Sequence, residues 1–186
     1  MKIVVASGNA HKTGEIAEIL KGFEFVSMRE MGFDGEIDEN GSTFKENALI
    51  KAKFIAEKFN LPALADDSGL CVDALGGAPS IYSARYSGGG DRENRKLLLK
   101  NLEGVKDRTA RFKSAVCLYY PDGKVIFGEG ACEGRILLED TGDGGFGYDP
   151  IFFSDDLQKS FGEATAEEKN RVSHRFRALT DLKSKL

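Results

Sequence analysis

Apolar and polar positions follow two rhythms along the chain. Ile3-Val4-Val5-Ala6 is a short unbroken apolar run, the mark of a strand covered on both faces. From Thr13 the spacing turns helical, with Ile16, Ile19 and Leu20 on one side and Gly22 as the stop. Residues 23–27 predict a second strand. Thr43-Phe44-Lys45-Glu46 matches the capping box T-x-x-E and predicts a helix to about Phe59, with Phe44, Ala48, Ala52, Ile55 and Phe59 along one face. Asn60-Leu61-Pro62 ends it. Ala63-Leu64-Ala65 predicts a short buried strand, which Asp66-Asp67-Ser68-Gly69 interrupts before Leu70-Cys71-Val72 resumes the apolar pattern.

In the second half, Gly76-Gly77-Ala78-Pro79 and Gly88-Gly89-Gly90 read as loops, and Asp91 as the cap of a helix to about Leu102. Residues 109–120 and 124–133 alternate as strands joined at Pro121-Asp122-Gly123, a hairpin signal. A glycine cluster (Gly142, Gly144, Gly145, Gly147) precedes a strand at Ile151-Phe152-Phe153. Thr165-Ala166-Glu167-Glu168 is a second capping box, and Ser173 caps a last helix from His174 to about Lys183. Helix–strand alternation followed by a hairpin predicts an α/β fold with a mixed sheet, one domain over 1–186 in two lobes that flank a cleft.

Composition removes several classes. With 186 residues, 41% hydrophobic and 30% charged, the chain can bury a core without disulfides, and it reads as neither disordered nor membrane-embedded. The net charge of −4 argues against general nucleic-acid binding but leaves room for a small anionic ligand held by local cations. The run at residues 3–6 is too short for a signal-peptide core or a bilayer span. Cys71, Cys117 and Cys132 lie in apolar stretches without a C-x-x-C pair, which predicts reduced, buried thiols in a cytoplasmic protein.

Five places could carry chemistry. Ser7-Gly8-Asn9-Ala10-His11-Lys12 joins a buried strand to a helix, where backbone N–H groups, the helix dipole and the Lys12 charge suit a phosphate; an ordinary turn with an exposed lysine fits the same residues. Asp66 and Asp67 are costly if buried unpaired, so they could hold a hard cation such as Mg²⁺ or supply a base; Asp-Ser-Gly is also ordinary turn chemistry. Glu39, Glu46 and Lys51 surround a helix start, where a solvated face explains Glu46 and Lys51 equally well. Gly142-Asp143-Gly144-Gly145-Phe146-Gly147 satisfies G-x-G-x-x-G, but a strand rather than a helix follows Tyr148-Asp149-Pro150, so it is no dinucleotide fingerprint. It reads better as a loop presenting Phe146 and Tyr148 for stacking on a base, or as a hairpin loop with core aromatics. Lys169 groups with Ser173-His174-Arg175, where His174 and Arg175 place cations at a helix start, against the dipole, which points to an anionic or carbonyl-bearing partner; His174 as a plain surface residue fits equally well. No Ser–His–Asp set stands out, and two histidines with three scattered cysteines make zinc a poor fit.

Ser7-x-Asn9-x-x-Lys12, Glu39-x-Gly41-x-Thr43-Phe44-x-Glu46-Asn47-Ala48, Ala65-Asp66-Asp67-Ser68-Gly69-Leu70, Gly76-Gly77-Ala78-Pro79, Ser83-Ala84-Arg85-Tyr86, Gly144-Gly145-Phe146-Gly147-Tyr148-Asp149-Pro150 and Ser173-His174-Arg175 occur in this order. Together the set resembles the inosine triphosphate pyrophosphatase family. The resemblance implies an elongated mixed sheet flanked by helices, an active site between two lobes, a homodimer, and Mg²⁺-dependent hydrolysis of ITP, dITP and XTP to monophosphate and pyrophosphate. It implies that Ser7, Gly8, Asn9, Ala10, His11 and Lys12 bind the triphosphate, that Glu39 and Asp67 hold the metal, and that Asp67 is also the proton acceptor. Lys51 would face the phosphates and Ser68 the substrate, while Phe146, Gly147, Tyr148, Asp149, Lys169, His174 and Arg175 would form the base pocket. A related pyrophosphatase of other base preference and a nucleotide-binding module without turnover remain as alternatives.

Overall fold

A computed structural model describes residues 1–7 and 10–186, with the backbone alone at Ala10 and His11. Its strands are β1 (Lys2–Val5), β2 (Glu24–Ser27), β3 (Ala63–Val72), β4 (Thr109–Tyr119), β5 (Val125–Ile136), β6 (Phe152–Ser154) and β7 (Lys159–Ser160). The helices are α1 (Ala10–Ile19), α2 (Phe44–Phe59), α3 (Asp91–Asn101), α4 (Ala166–Val172) and α5 (His174–Lys183). The sheet runs β2-β1-β3-β4-β5-β6-β7. β1 is parallel to β2 and β3, whereas β6 is antiparallel to β5 and β7, so the sheet is mixed. No helix among the described residues is long and apolar enough to cross a membrane.

The chain divides into two compact units, residues 1–67, 114–130 and 175–186, and residues 68–113 and 131–174. In the first unit, strand alternation sorts the core into two faces. Ile3, Val5, Leu64, Val116 and Leu118 pack with Ile16 and Leu20 beside α1 and with Ala178, Leu179 and Leu182 of α5. Their neighbours Val4, Ala6, Ala63, Ala65 and Cys117 pack with Ala48, Ala52, Ile55 and Ala56 of α2. Successive strand residues point to opposite faces, so a continuous apolar run is what a doubly covered strand needs. Ile16 and Leu20 stand one helical turn apart, each 1% exposed, and each contributes roughly 2 kcal/mol of burial. α5 lies so close to β5 that a side chain at Gly128 would overlap the Ala178 carbonyl oxygen and the Leu182 amide.

The second unit has its own core. Leu70 and Val72 of β3, Leu98 of α3, and the rings of Phe112, Phe152 and Phe161 meet there. Phe112 and Phe152 have ring centroids 4.6 Å apart. The three cysteines are unbridged and buried, and burial pushes the Cys117 thiol up to about 12.

Local sequence signals and structure differ at three places. Asp66-Asp67-Ser68-Gly69 does not interrupt a strand; β3 runs through it without a break, and the carboxylates find cations within the first unit. Thr43 caps α2 by accepting from the Glu46 amide, but the Glu46 carboxylate reaches Ser42 rather than Thr43, so only half of that box forms. The Thr165 box is complete. Asp91 does not cap α3: it is the first helical residue, and its carboxylate accepts instead from the Gly147 amide. α2 ends at Asn60, whose left-handed backbone (φ 52°) is one that asparagine tolerates.

Candidate active site

Chain order places the first group of residues. β1 leads through α1 to β2 on one side, and α2 then carries the chain back to β3 on the other side of β1. α1 and α2 therefore cover opposite faces, and open α/β sheets bind ligands beyond the carboxyl end of a strand at such a reversal, here the end of β1. Val5 of β1 registers with Leu64, so Ser7 and the Asp66–Asp67 pair both lie just beyond the paired segment.

Strand alternation separates the two carboxylates. Asp66 shares the parity of Leu64 and meets α1 and α5. Lys12 Nζ lies 3.2 Å from its Oδ1, and Arg175 Nε donates to its Oδ2 at 3.2 Å. Burial alone would push the Asp66 carboxyl up, but Lys12, Arg175 and Lys51 hold it well below the usual carboxylate range. Arg175 also donates through Nη1 to Glu15 Oε2 of α1 at 3.2 Å.

Asp67 shares the parity of Ala65 and meets the α2 side. Lys51 Nζ donates to the Asp66 carbonyl at 2.8 Å, and stands 3.1 Å from Glu39 Oε2 and 3.7 Å from Asp67 Oδ1. Asn47 is buried on α2 and accepts from the Gly41 amide at 2.8 Å, so its NH₂ group is the one free to donate to Asp67. That bond also ties the segment carrying Glu39 to α2. Burial raises the Asp67 carboxyl above its ordinary value; Glu39 and Asp66 add to the rise, against the opposing pull of Lys51 and Asn47. Its Oδ2 is buried and has no hydrogen-bond partner among the described residues. A carboxyl so raised, with an unused lone pair, is suited to accept a proton or ligate a cation.

Other expected residues of this set are placed as follows. Lys12 and Lys51 converge on Asp66, each through its own contact, and Ser7 lies two residues beyond the end of β1. Gly8 and Asn9, and the side chains of Ala10 and His11, lie outside the described residues. Ser68 follows Asp67 on β3 and is half-buried. Arg175, which the resemblance sets in the base pocket with His174, pairs with both Asp66 and Glu15, since a guanidinium fork can serve two carboxylates at once. Glu46, tied to Ser42, is a loop-fastening residue. Sequence reasoning overlooked Glu15 and the organising role of Asp66; only the adjacency of Asp66 to Asp67 hinted at the latter.

The second unit carries the other group. Phe146 is 68% exposed, and Lys169 Nζ lies 4.4 Å from its ring centroid. Lys169 pairs with Asp149, which is 3% exposed and accepts from the Phe146 amide at 3.0 Å. The expectation that Tyr148 is presented with Phe146 is not met. Tyr148 is buried in the core, where its hydroxyl donates to the Ser83 carbonyl at 2.7 Å. A buried phenol needs such a partner, and this one makes Tyr148 a wall rather than a platform. Gly147 adopts φ 58°, and the His174 ring stacks on Phe112 at 5.1 Å. After Gly147 a 3₁₀ turn (Asp149–Ile151) leads directly into β6, as the rejection of a dinucleotide fingerprint requires.

A mixed α/β fold with a buried carboxylate–cation cluster and an exposed aromatic ring beside a lysine defines a protein built for an anionic ligand. A model of the Ham1 family matches residues 3–185, and the chain belongs to that family. It is 48% identical to a dITP/XTP pyrophosphatase of Halalkalibacterium halodurans, across 96% of this chain and 95% of that protein. It is 47% identical to one of Haemophilus influenzae, across 100% and 98%. Its fold matches the solved Ham1 protein of Staphylococcus aureus with a TM-score of 0.93 at 38% identity, over 99% of this chain and 97% of that one.

Proposed function

We propose that this protein hydrolyses non-standard purine nucleoside triphosphates (ITP, dITP and XTP) to the monophosphate and pyrophosphate, keeping them out of nucleic acids. The observation that carries this reading is Asp67: a half-buried carboxyl raised above its ordinary value, with one buried oxygen that has no partner among the described residues, beside Lys51 and Glu39. Family membership and the names of the relatives support the choice of substrate.

Lys12 and Lys51 offset the negative charge of the triphosphate. Asp67 accepts a proton from water as that water's oxygen bonds to the α-phosphorus; the bond to the β-phosphate oxygen breaks and pyrophosphate leaves. Glu39 and Asp67 would hold Mg²⁺, whose charge, when it is bound, spreads that of the phosphates. The donor set fits: both groups are hard oxygen ligands, one oxygen of Asp67 is unused, and Mg²⁺ commonly takes only one or two protein carboxylates alongside substrate phosphates. Among the described residues no third acidic, histidine or cysteine ligand joins them. Phe146 stacks on the base, with Lys169 beside it. Donors aimed at a 6-oxo group reject adenine, whose 6-amino group would face them donor to donor. A homodimer in the cytoplasm completes the proposal, and three unbridged cysteines support a reducing compartment.

The test is release of pyrophosphate from ITP, XTP, dITP, GTP and ATP side by side, with Mg²⁺. Strong release from the first three and little from the others is expected. Orthophosphate as the first product would place the attack at another phosphorus and end this mechanism. Tight ITP binding without release would make the protein a binding module.

A further inference from the structure

The segment that presents Phe146 contains four glycines in six residues, Gly142 to Gly147, and such a stretch loses much conformational freedom when it is held in one shape. The first turns of α3 supply the hold. Gly147 gives both of its backbone polar groups to that helix. Its N–H donates to Asp91 Oδ2 at 3.0 Å, and its carbonyl accepts from Arg95 Nη1 at 2.9 Å. Asp91 and Arg95 are four residues apart, hence on one face of α3. The two remaining arms of the Arg95 fork hold Asp140, Nε to Oδ1 at 3.0 Å and Nη2 to Oδ2 at 2.9 Å. One side chain thus fastens the segment just before the glycines and again at its end. On the other side of Phe146, its amide is bound by Asp149.

The aromatic ring is therefore exposed while its backbone is fastened on both sides. Asp91 even forgoes capping its own helix to do this. Such an arrangement serves a ligand: a ring held in its binding attitude avoids the entropy cost of ordering the loop on association.

We propose that Asp91 and Arg95 are positioning residues that fix Phe146 in its stacking attitude and so set affinity for the purine, acting through Gly147. The proposal rests on the reading of Phe146 as the base platform. It is tested without turnover, by calorimetric binding of inosine monophosphate to the wild-type protein, Arg95→Met, Phe146→Ala and the double variant. Phe146→Ala should weaken binding about ten-fold, the scale of one lost base–aromatic stack. Arg95→Met should weaken it several-fold, and should change it less than two-fold on the Phe146→Ala background. Amide exchange over residues 144–148 should quicken in unliganded Arg95→Met while the rest of the second unit keeps its protection. Asp91→Asn, which keeps an acceptor oxygen, should rescue what Asp91→Ala loses. If Arg95→Met does not fold, Asp91→Ala removes the other half of the clamp and enters the same cycle. Equal weakening by the clamp variant on both backgrounds, or unchanged exchange, would overturn the proposal, as would absence of nucleotide binding by the wild type. Wild-type binding without pyrophosphate release would instead count against the proposed activity and leave the cycle decisive for the clamp.

Discussion

Asp66 and Asp67 are neighbours, yet neutralising them should have opposite effects on stability. Asp66 is buried between Lys12 and Arg175, each at 3.2 Å, with Lys51 also lowering its carboxyl. Asp66→Asn keeps the shape but removes the charge that Lys12 and Arg175 share, leaving Arg175 with Glu15 and Lys51 with Glu39 and Asp67 as their remaining counter-charges. Removing one partner of a buried pair costs ~3–5 kcal/mol, and the lower end, about 3 kcal/mol, applies because the Lys12 side chain keeps 30% exposure. At ~2–4 °C per kcal/mol for a chain of this size, the melting transition should fall by ~6–12 °C. Asp67 is the reverse case: burial already disfavours its charge, so Asp67→Asn should leave that transition unchanged or raise it. The same variant should lose ~10²–10⁴-fold in turnover, the range for a general base. Scanning calorimetry near pH 7 with a parallel pyrophosphate assay measures both. A fall in Asp67→Asn as large as that in Asp66→Asn would refute the assignment of cation partners, and so would an Asp66→Asn transition within ~2 °C of wild type.

Further expectations follow from individual contacts. Because the folded Asp66 carboxyl lies below its unfolded value of about 3.9, its stabilisation is complete above about pH 4 and is lost as pH falls towards the folded value. Acid titration of wild type should therefore show a steeper loss of stability below that point than Asp66→Asn does. Gly128→Ala drives a Cβ into the backbone of α5 and should cost about 3 kcal/mol, the upper end for overpacking, seen as a lower denaturant midpoint with unchanged slope. Phe146→Ala should raise KM about ten-fold with little change in kcat or melting temperature, since the ring is mostly exposed; an equal loss in kcat would mean that the ring does more than hold the base. Mg²⁺ should raise the melting temperature of wild type and leave Asp67→Asn unmoved, while a chelator abolishes turnover.

Much of the architecture was written in local pattern. The unbroken apolar run of β1 already required cover on both faces, and the capping residues Thr43 and Thr165 marked helix starts to the residue. The two-residue strand β7 and the 3₁₀ turns at Asp73–Leu75 and Ser80–Arg85 were not legible. Segments so short have too few positions for a period to show. The reach of Asp91 was equally hidden, because an aspartate after Gly90 has the same local signature whether it caps its own helix or binds an amide 56 residues away.

The candidate site divides along the same line. Residue types and spacing marked Lys12 and the Asp66–Asp67 pair as able to handle phosphates and a cation, since two adjacent carboxylates amid apolar neighbours need charged partners, whereas the roles expected of Glu39 and Lys51 came from the family resemblance. Which partner each carboxylate takes was decided only by the fold. Alternation along β3 turns Asp66 towards α1 and α5 and Asp67 towards α2, and the cations of Asp66 come from 54 and 109 residues away. Coulomb energy depends on distance in space, and sequence separation carries no information about that distance.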